Sequence, residues 1–456
     1  MRKAFIAICL ILGLAACGGG GGGSAGEASL SSSIPADALK AKSFVVDPTL
    51  AAQPVSVVNT TLAGEQGARA IGALPDGGYI VVWITGTALF LQRYDSAGDK
   101  VGGEVPLAVT IPVFDPLGIR EGSVAVLSDG SVVVAYEVDV NVGASAGTLQ
   151  FRQSIFIQRF DPQGNQLLGE TEVSSRLVLA SDTPNGAPSI TALADGGFVV
   201  AWFFNAQFPT SLSRSTLFKR RYDSQAQPVG PVVTVGSFLL ANTPRTGFRL
   251  AADASGGYTL SISSIDDTFS LLPVLFIHYD VNDAATQVTA PDAGEGALLL
   301  PLQGDRFVLF GTGSSGPFLQ FLDSAGNPAG DRVPIAALPA GALELADGSF
   351  VVFWNNVGTT TAQRFDSAGL AIGNLLSLGS GGHAPILAAL ADGGFAAAWT
   401  AVGAVAGDVD TFTQRFIEVL TPEQPALRAK RKACLASARG LKGHERKAFM
   451  DTCLAS

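Results

Sequence analysis

The sequence predicts an all-β protein: a seven-bladed β-propeller of four-stranded blades, closed by an N-terminal strand, with a small helical hairpin at the C-terminus. Three observations predict it. A strand–turn–strand–strand motif recurs seven times between Gly72 and Leu420. The last copy lacks a fourth strand, and an orphan strand precedes the first. The composition changes abruptly after Pro422.

The repeat is clearest in five copies. Asp76-Gly77-Gly78-Tyr79 leads to Val82-Trp83 and then Gln92-Arg93-Tyr94-Asp95. Asp129-Gly130 leads to Tyr136 and Gln158-Arg159-Phe160-Asp161. Asp195-Gly196-Gly197-Phe198 leads to Trp202 and Arg220-Arg221-Tyr222-Asp223. Asp347-Gly348-Ser349-Phe350 leads to Trp354 and Gln363-Arg364-Phe365-Asp366. Asp392-Gly393-Gly394-Phe395 leads to Trp399 and Gln414-Arg415-Phe416. Two copies are degraded, around Ser255-Gly256-Gly257-Tyr258 with His278, and around Gly304-Asp305 with Gln320. Markers near 76, 129, 195, 255, 304, 347 and 392 give spacings of 53, 66, 60, 49, 43 and 45 residues. Periods of this size belong to propellers, solenoids or arrays.

Each copy reads as four antiparallel strands. The segments are short, β-branched and aromatic, and often alternate. Asp-Gly between two such runs predicts a tight hairpin of type I′. A second turn follows the third strand, as in Asp95-Ser96-Ala97-Gly98 and Asp366-Ser367-Ala368-Gly369. There Asp can bond the backbone ahead and Gly can adopt positive φ. Four antiparallel strands per repeat make a propeller blade. The orphan strand Val55–Asn59 is expected to complete the last blade and leave no open edge. An open β-solenoid is the competing arrangement. The repeats resemble the broad class of bacterial secreted propeller repeats.

The N-terminus carries an address. Arg2 and Lys3 precede an apolar run from Ala4 to Leu14. Leu14-Ala15-Ala16-Cys17 resembles a bacterial lipobox. The resemblance implies cleavage before Cys17, a lipid on its thiol, and, with Gly18 following, sorting to the outer membrane of a Gram-negative bacterium. The expected organisation is a signal peptide at 1–16, a Gly/Ser/Ala-rich tether at 17–50, the propeller at 51–420 and a basic hairpin at 421–456. Cys9 leaves with the signal and Cys17 is lipidated, so Cys434 and Cys453 are expected to pair in an oxidising compartment. That disulfide would staple two short helices, as so small a unit requires.

Lys432-Ala433-Cys434, Gly440-Leu441-Lys442-Gly443 and Glu445 to Met450 with Cys453-Leu454 resemble the PsiF-repeat family. The resemblance covers about 30 residues and implies a small exported module with no catalytic residues. From Thr421 onward there are eight Lys/Arg against three Asp/Glu, while the whole chain carries −10. Such a tail could dock on an acidic ring or bind the phosphates of lipopolysaccharide. So acidic a main domain argues against nucleic acid as a partner.

Little in the sequence carries catalytic chemistry. The three histidines, His278, His383 and His444, have no zinc spacing, and there is no P-loop to cradle a phosphate. No cofactor or metal is expected. The turn Asp residues read as turn chemistry, with Asp266-Asp267 and Asp408-Val409-Asp410 the better calcium candidates. The repeated Trp residues read as blade packing, and the repeated Arg as a scaffold group pairing with a neighbouring blade.

One asymmetry points to a functional face. Both tight turns of a blade lie at one end of its strands, and the variable connections lie at the other. The second-to-third connections of copies two and three are long, around Val138–Arg152 and Asn205–Thr216. Variable loops on a rigid scaffold are where binding evolves. Phe151, Arg152, Phe204, Phe208, Arg214 and Asp267 are the candidate ligand-binding residues. The expectation is a lipid-anchored envelope scaffold binding a protein or glycan. A glycan hydrolase or lyase with carboxylates in the ring's mouth is the first alternative, and a structural surface protein holding lipopolysaccharide through its tail the second.

Overall fold

The computed structural model describes residues 49–60, 66–85, 88–109, 119–145, 148–179, 188–205, 213–240, 247–253, 256–266, 268, 272–289, 298–303, 306–323, 326–356, 359–378, 385–403, 408–419 and, in the tail, 430, 433–434, 437 and 452–453. Cys17, Phe208, Asp267, His383 and His444 lie outside them.

Seven antiparallel sheets form the ring, six of them in chain order from first to fourth strand. The first strands of successive blades contact one another, so they line the centre. Blade one is Gln66–Ala73, Tyr79–Thr85, Ala88–Tyr94 and Lys100–Leu107. Blade seven has three strands of its own, Ile386–Ala389, Phe395–Val402 and Val409–Val419. Its outer position is filled from the N-terminus by Thr49–Ala52 and Ser56–Val57, which pair with Phe416–Val419 and with Phe412 and Thr413. The expected closure is present, and it starts at Thr49, six residues before the orphan strand read from the sequence.

The repeat residues hold the blades together. Second and third strands stack aromatics across the ladder: Tyr79 on Tyr94 at 4.7 Å, Phe198 on Tyr222 at 4.9 Å and Phe395 on Phe416 at 4.5 Å between ring centroids. Trp83, Trp202 and Trp399 stack on Phe90, Phe218 and Phe412 and are buried between blades. They are blade-packing residues, as expected. The buried Gln of the third strand has a role the sequence did not disclose. The outer strand slips in register opposite it, between Leu91 and Arg93 and again between Ala362 and Arg364. There the Gln92 and Gln363 side-chain amides donate to Val101 O at 3.3 Å and Ile372 O at 2.7 Å. The amide supplies a bond that the bulged ladder omits. In blade seven Gln414 donates instead to Gln53 O at 2.7 Å, so the N-terminal segment takes the place of an outer strand.

Three expectations are corrected. The first hairpin is not type I′. Gly77 N donates to Leu74 O at 3.1 Å, and Leu74 N to Gly78 O at 2.8 Å. Only Gly77 of this turn has positive φ, at 86°. That is a type I turn closed by a bulge glycine. Pro75 fixes φ near −65°, which type I′ forbids, and Asp76 Oδ1 accepts Gly78 N at 2.9 Å. Next, the repeated Arg pairs first with the turn Asp of its own blade: Arg159–Asp129, Arg221–Asp195 and Arg364–Asp347 at 2.7 Å, Arg415–Asp392 at 2.5 Å, and Arg93–Asp76. Arg221 and Arg364 additionally reach the following blade, at Val281 O and Glu418. His278, in the same slot of blade four, keeps the relationship, with Nδ1 3.5 Å from Asp253. Finally, Val138–Arg152 is no loop. It belongs to strands Val132–Ser145 and Thr148–Phe160, which run paired to Ser145↔Thr148.

In the tail, Lys430, Ala433, Cys434, Ser437, Thr452 and Cys453 are helical. Cys434 and Cys453 form the expected disulfide, with Cα atoms 5.9 Å apart.

Candidate functional site

The two faces of the ring are built differently. The turn face is repetitive. In five blades the second turn uses one Asp oxygen to accept two backbone N–H groups, as Asp95 does from Ala97 at 2.8 Å and Asp99 at 3.0 Å. The Asp99 N–H holds the Asp95 carboxyl below the usual carboxylate range, and Ala284 N–H does the same for Asp280. These carboxylates are fixed anions whose oxygens are engaged with their own turns.

The loop face is irregular, and blades two and three extend furthest there. Blade two carries strands of 14, 13 and 14 residues, Val132–Ser145, Thr148–Phe160 and Gln166–Leu179, against seven or eight in blade one. Its extension is a three-stranded sheet, because Arg152 pairs with Val140 on one side and Leu177 on the other. Val142 and Leu177 are exposed aliphatics on it, and Arg152 is exposed beside them. Blade three extends through Ser213–Tyr222 and Pro228–Leu240, with Arg214 opposite Leu239.

The predicted residues therefore divide. Phe151 and Arg152 share the blade-two extension, and Arg214 lies on the backbone of the adjacent one. Phe204 is buried; it packs edge-on against Trp202 at 6.4 Å and against Phe218 at 5.7 Å.

The sequence reading missed a polar cluster facing blade three. Glu137 and Asp139 stand two apart on one face of a strand, and each is 1% exposed. Asp139 is directly opposite Gln153, whose Nε2 donates to Glu137 Oε1. Alternation placed Glu137 at a position where blade three buries Phe203, and that was the available signal.

The centre of the ring presents two further groups. Glu344 lies on the first strand of blade six. Its carboxylate accepts the Gln303 N–H of blade five, at 3.0 and 2.8 Å to its two oxygens. Burial pushes it up to about 7, against the pull of Gln303 and Arg306. Arg249, on the first strand of blade four, is reached by solvent yet crowded by protein, and the crowding lowers its guanidinium pKa. No group of three or more His, Cys, Asp or Glu able to hold a metal occurs among the described residues.

Residues 425–455 match the psiF repeat family, which covers the tail alone. No curated protein matches the chain. Among solved structures the chain is similar to prolyl oligopeptidase B from Galerina marginata, at 10% identity and a TM-score of 0.43; it covers 75% of this chain and the chain spans 47% of that one. It is similar to the polysaccharide lyase Uly1 at 10% identity and 0.42, covering 85% of this chain and 95% of that one. It is similar to YCF48 bound to D1 peptide at 12% identity and 0.44, covering 82% and 100%. At these identities the likeness is one of fold, and fold does not carry function.

Proposed function

We propose that this protein is a lipid-anchored scaffold of the cell envelope that binds a protein or glycan through its loop face. The observation that carries the reading is the contrast between faces. The described tight turns repeat one Asp-bonded geometry on one side, while blades two and three carry elongated sheets on the other. The added strands lie beyond what closure of the ring requires. They present Val142, Arg152 and Leu177 to solvent, an apolar and cationic mixture suited to recognition.

Photo-crosslinking in cells tests it. A photoreactive residue at Val142 or Arg152 should give discrete adducts, and one at Ser96 on the turn face should not. Adducts from Ser96 alone, or from none of the three, would sink the reading.

A glycan-acting enzyme has one observation in its favour. Glycosidases act through a pair of carboxylates flanking the scissile bond, and two residues on one strand face are roughly 7 Å apart along the backbone rise. Glu137 and Asp139 have that spacing, but they are closed to solvent. Product release from a polysaccharide panel, abolished in Glu137→Gln, would favour this second reading over the first.

A further inference from the structure

Both ends of the ring leave it on the same side. Third strands run from the loop face to the turn face, since each is followed by a tight turn such as Asp95–Asp99. Val419 ends the third strand of blade seven and is therefore at the turn face. Thr49, where the closing strand begins, is its register partner. The described blade chain therefore begins, at Thr49, and ends, at Val419, on the turn face.

The tether makes this placement consequential. Cys17 is 32 residues before Thr49. A random-coil chain of 32 residues has a root-mean-square span of about 30 Å. A blade strand of seven or eight residues is itself about 25 Å tall. To bring the loop face against a membrane, the tether would have to pass the full height of a blade and round its outer edge. Bringing the turn face there needs no detour. Beside the tight turns, four blades also expose an aliphatic at the rim: Val101, Leu167, Val229 and Leu370, at 37, 55, 52 and 64%. Singly these are ordinary surface residues; together they lie on the side from which the tether departs.

We propose that the turn face is the side held against the phospholipid surface in which Cys17 is anchored, so that the extended sheets of blades two and three point away from it. This rests on the lipid-anchored reading above. The surface it fits is zwitterionic phospholipid, because the turn carboxylates Asp95, Asp161, Asp223, Asp280 and Asp366 stand at this face and an anionic leaflet would repel them.

The test uses the mature, acylated protein on vesicles of phosphatidylcholine and phosphatidylethanolamine containing a rhodamine lipid. Donor dyes are placed on Ser96→Cys and Ser367→Cys at the turn face, and on Val142→Cys and Val402→Cys at the loop face. All four positions are exposed, and Cys434 and Cys453 are protected by their bond. Energy transfer from the turn-face dyes is expected to be at least twice that from the loop-face dyes. Flotation of the wild type with the vesicles, lost in Cys17→Ser, tests the anchor separately. A wild type that does not float overturns the anchor and, with it, the membrane as occupant. A floating protein whose two faces transfer equally, or whose loop face transfers more, overturns the orientation alone.

Discussion

Asn59 and Asp410 are hydrogen-bonded across 351 residues of chain, Nδ2 to Oδ1 at 2.7 Å. Asn59 Oδ1 also accepts the Thr411 N–H at 2.9 Å, and Val58 N donates to Thr411 O at 2.8 Å. One buried side chain thus clasps the N-terminal segment to the last blade. Asp410, a calcium candidate on sequence grounds, is part of this clasp.

Asn59→Ala should therefore weaken the whole ring. It leaves a buried backbone N–H and a buried carboxylate oxygen without their Asn59 partner, at about 1–3 kcal/mol each. The expected loss is about 2–4 kcal/mol in urea unfolding, with Asn59→Asp worse because it brings two carboxylates together. An exposed neighbour such as Thr60→Ala should change little. A loss below about 0.5 kcal/mol for Asn59→Ala would mean that the strand pairs of Thr49–Ala52 close the ring without it.

The blade three to blade four junction invites a double-mutant cycle. Lys219 sits where blades one, two and four place Leu91, Ile157 and Phe276, and it is 1% exposed. It donates to Tyr258 Oη at 2.7 Å and to Asp283 Oδ2 at 2.5 Å, and lies 4.0 Å from the centre of the Tyr279 ring. Asp283 occupies the turn position that is glycine in most blades and holds φ at 65°. Two departures from the repeat thus meet each other. Lys219→Leu alone should destabilise by about 1–3 kcal/mol, since Asp283 and Tyr258 lose their cation. Lys219→Leu with Asp283→Gly should recover that loss or exceed it, because the buried pair and the strained turn go together. Additive losses would show that the two sites are independent.

Blade six offers a smaller test. Ser349 Oγ donates to Asp347 at 2.6 Å and accepts Arg364 Nε at 2.8 Å. The Arg364 side chain is 3% exposed. Ser349→Ala should cost about 1–2 kcal/mol by removing that acceptor from a buried guanidinium. Ser349→Thr should retain more of the stability, because it keeps the hydroxyl. Equal losses in the two variants would point to the added methyl or to packing rather than to the hydrogen bond.

The ring was legible because its signals are local and repeated. Asp-Gly turns, aromatic alternation and the missing fourth strand each depend on a few adjacent residues, and seven copies reinforce one another. What escaped the sequence depends on pairing across strands. The Gln92 amide matters because the outer strand bulges opposite it, and a bulge leaves no local signature here. The ribbon through Val138–Arg152 read as a loop because it is the extra length between the second and third strands of its copy. In the fold Gly143 instead takes φ 108° inside a register slip, and the strands continue beyond it. The candidate residues show the same limit: Phe151 and Arg152 were chosen as members of a variable loop and lie instead on a paired strand, and Glu137 and Asp139 became a cluster only once Gln153 was placed opposite.

Glu344 gives the fold a pH dependence with a definite sign. Its folded pKa, near 7, lies above the usual value of 4.5, because burial disfavours the carboxylate more than Gln303 and Arg306 stabilise it. The folded state therefore binds the proton more tightly than the unfolded state. This contribution to stability is fully present below about pH 4.5, and it is lost as pH rises through 7. Partial exposure reduces its size to the order of 1–2 kcal/mol. Glu344→Gln should flatten the stability profile between pH 4.5 and 7.5 while still accepting the Gln303 N–H through its amide oxygen. Chemical unfolding of both proteins at pH 5 and pH 8 reads the difference directly. A wild-type slope that persists unchanged in Glu344→Gln would move the effect to another group, and a wild type more stable at pH 8 would reverse the sign derived from its burial.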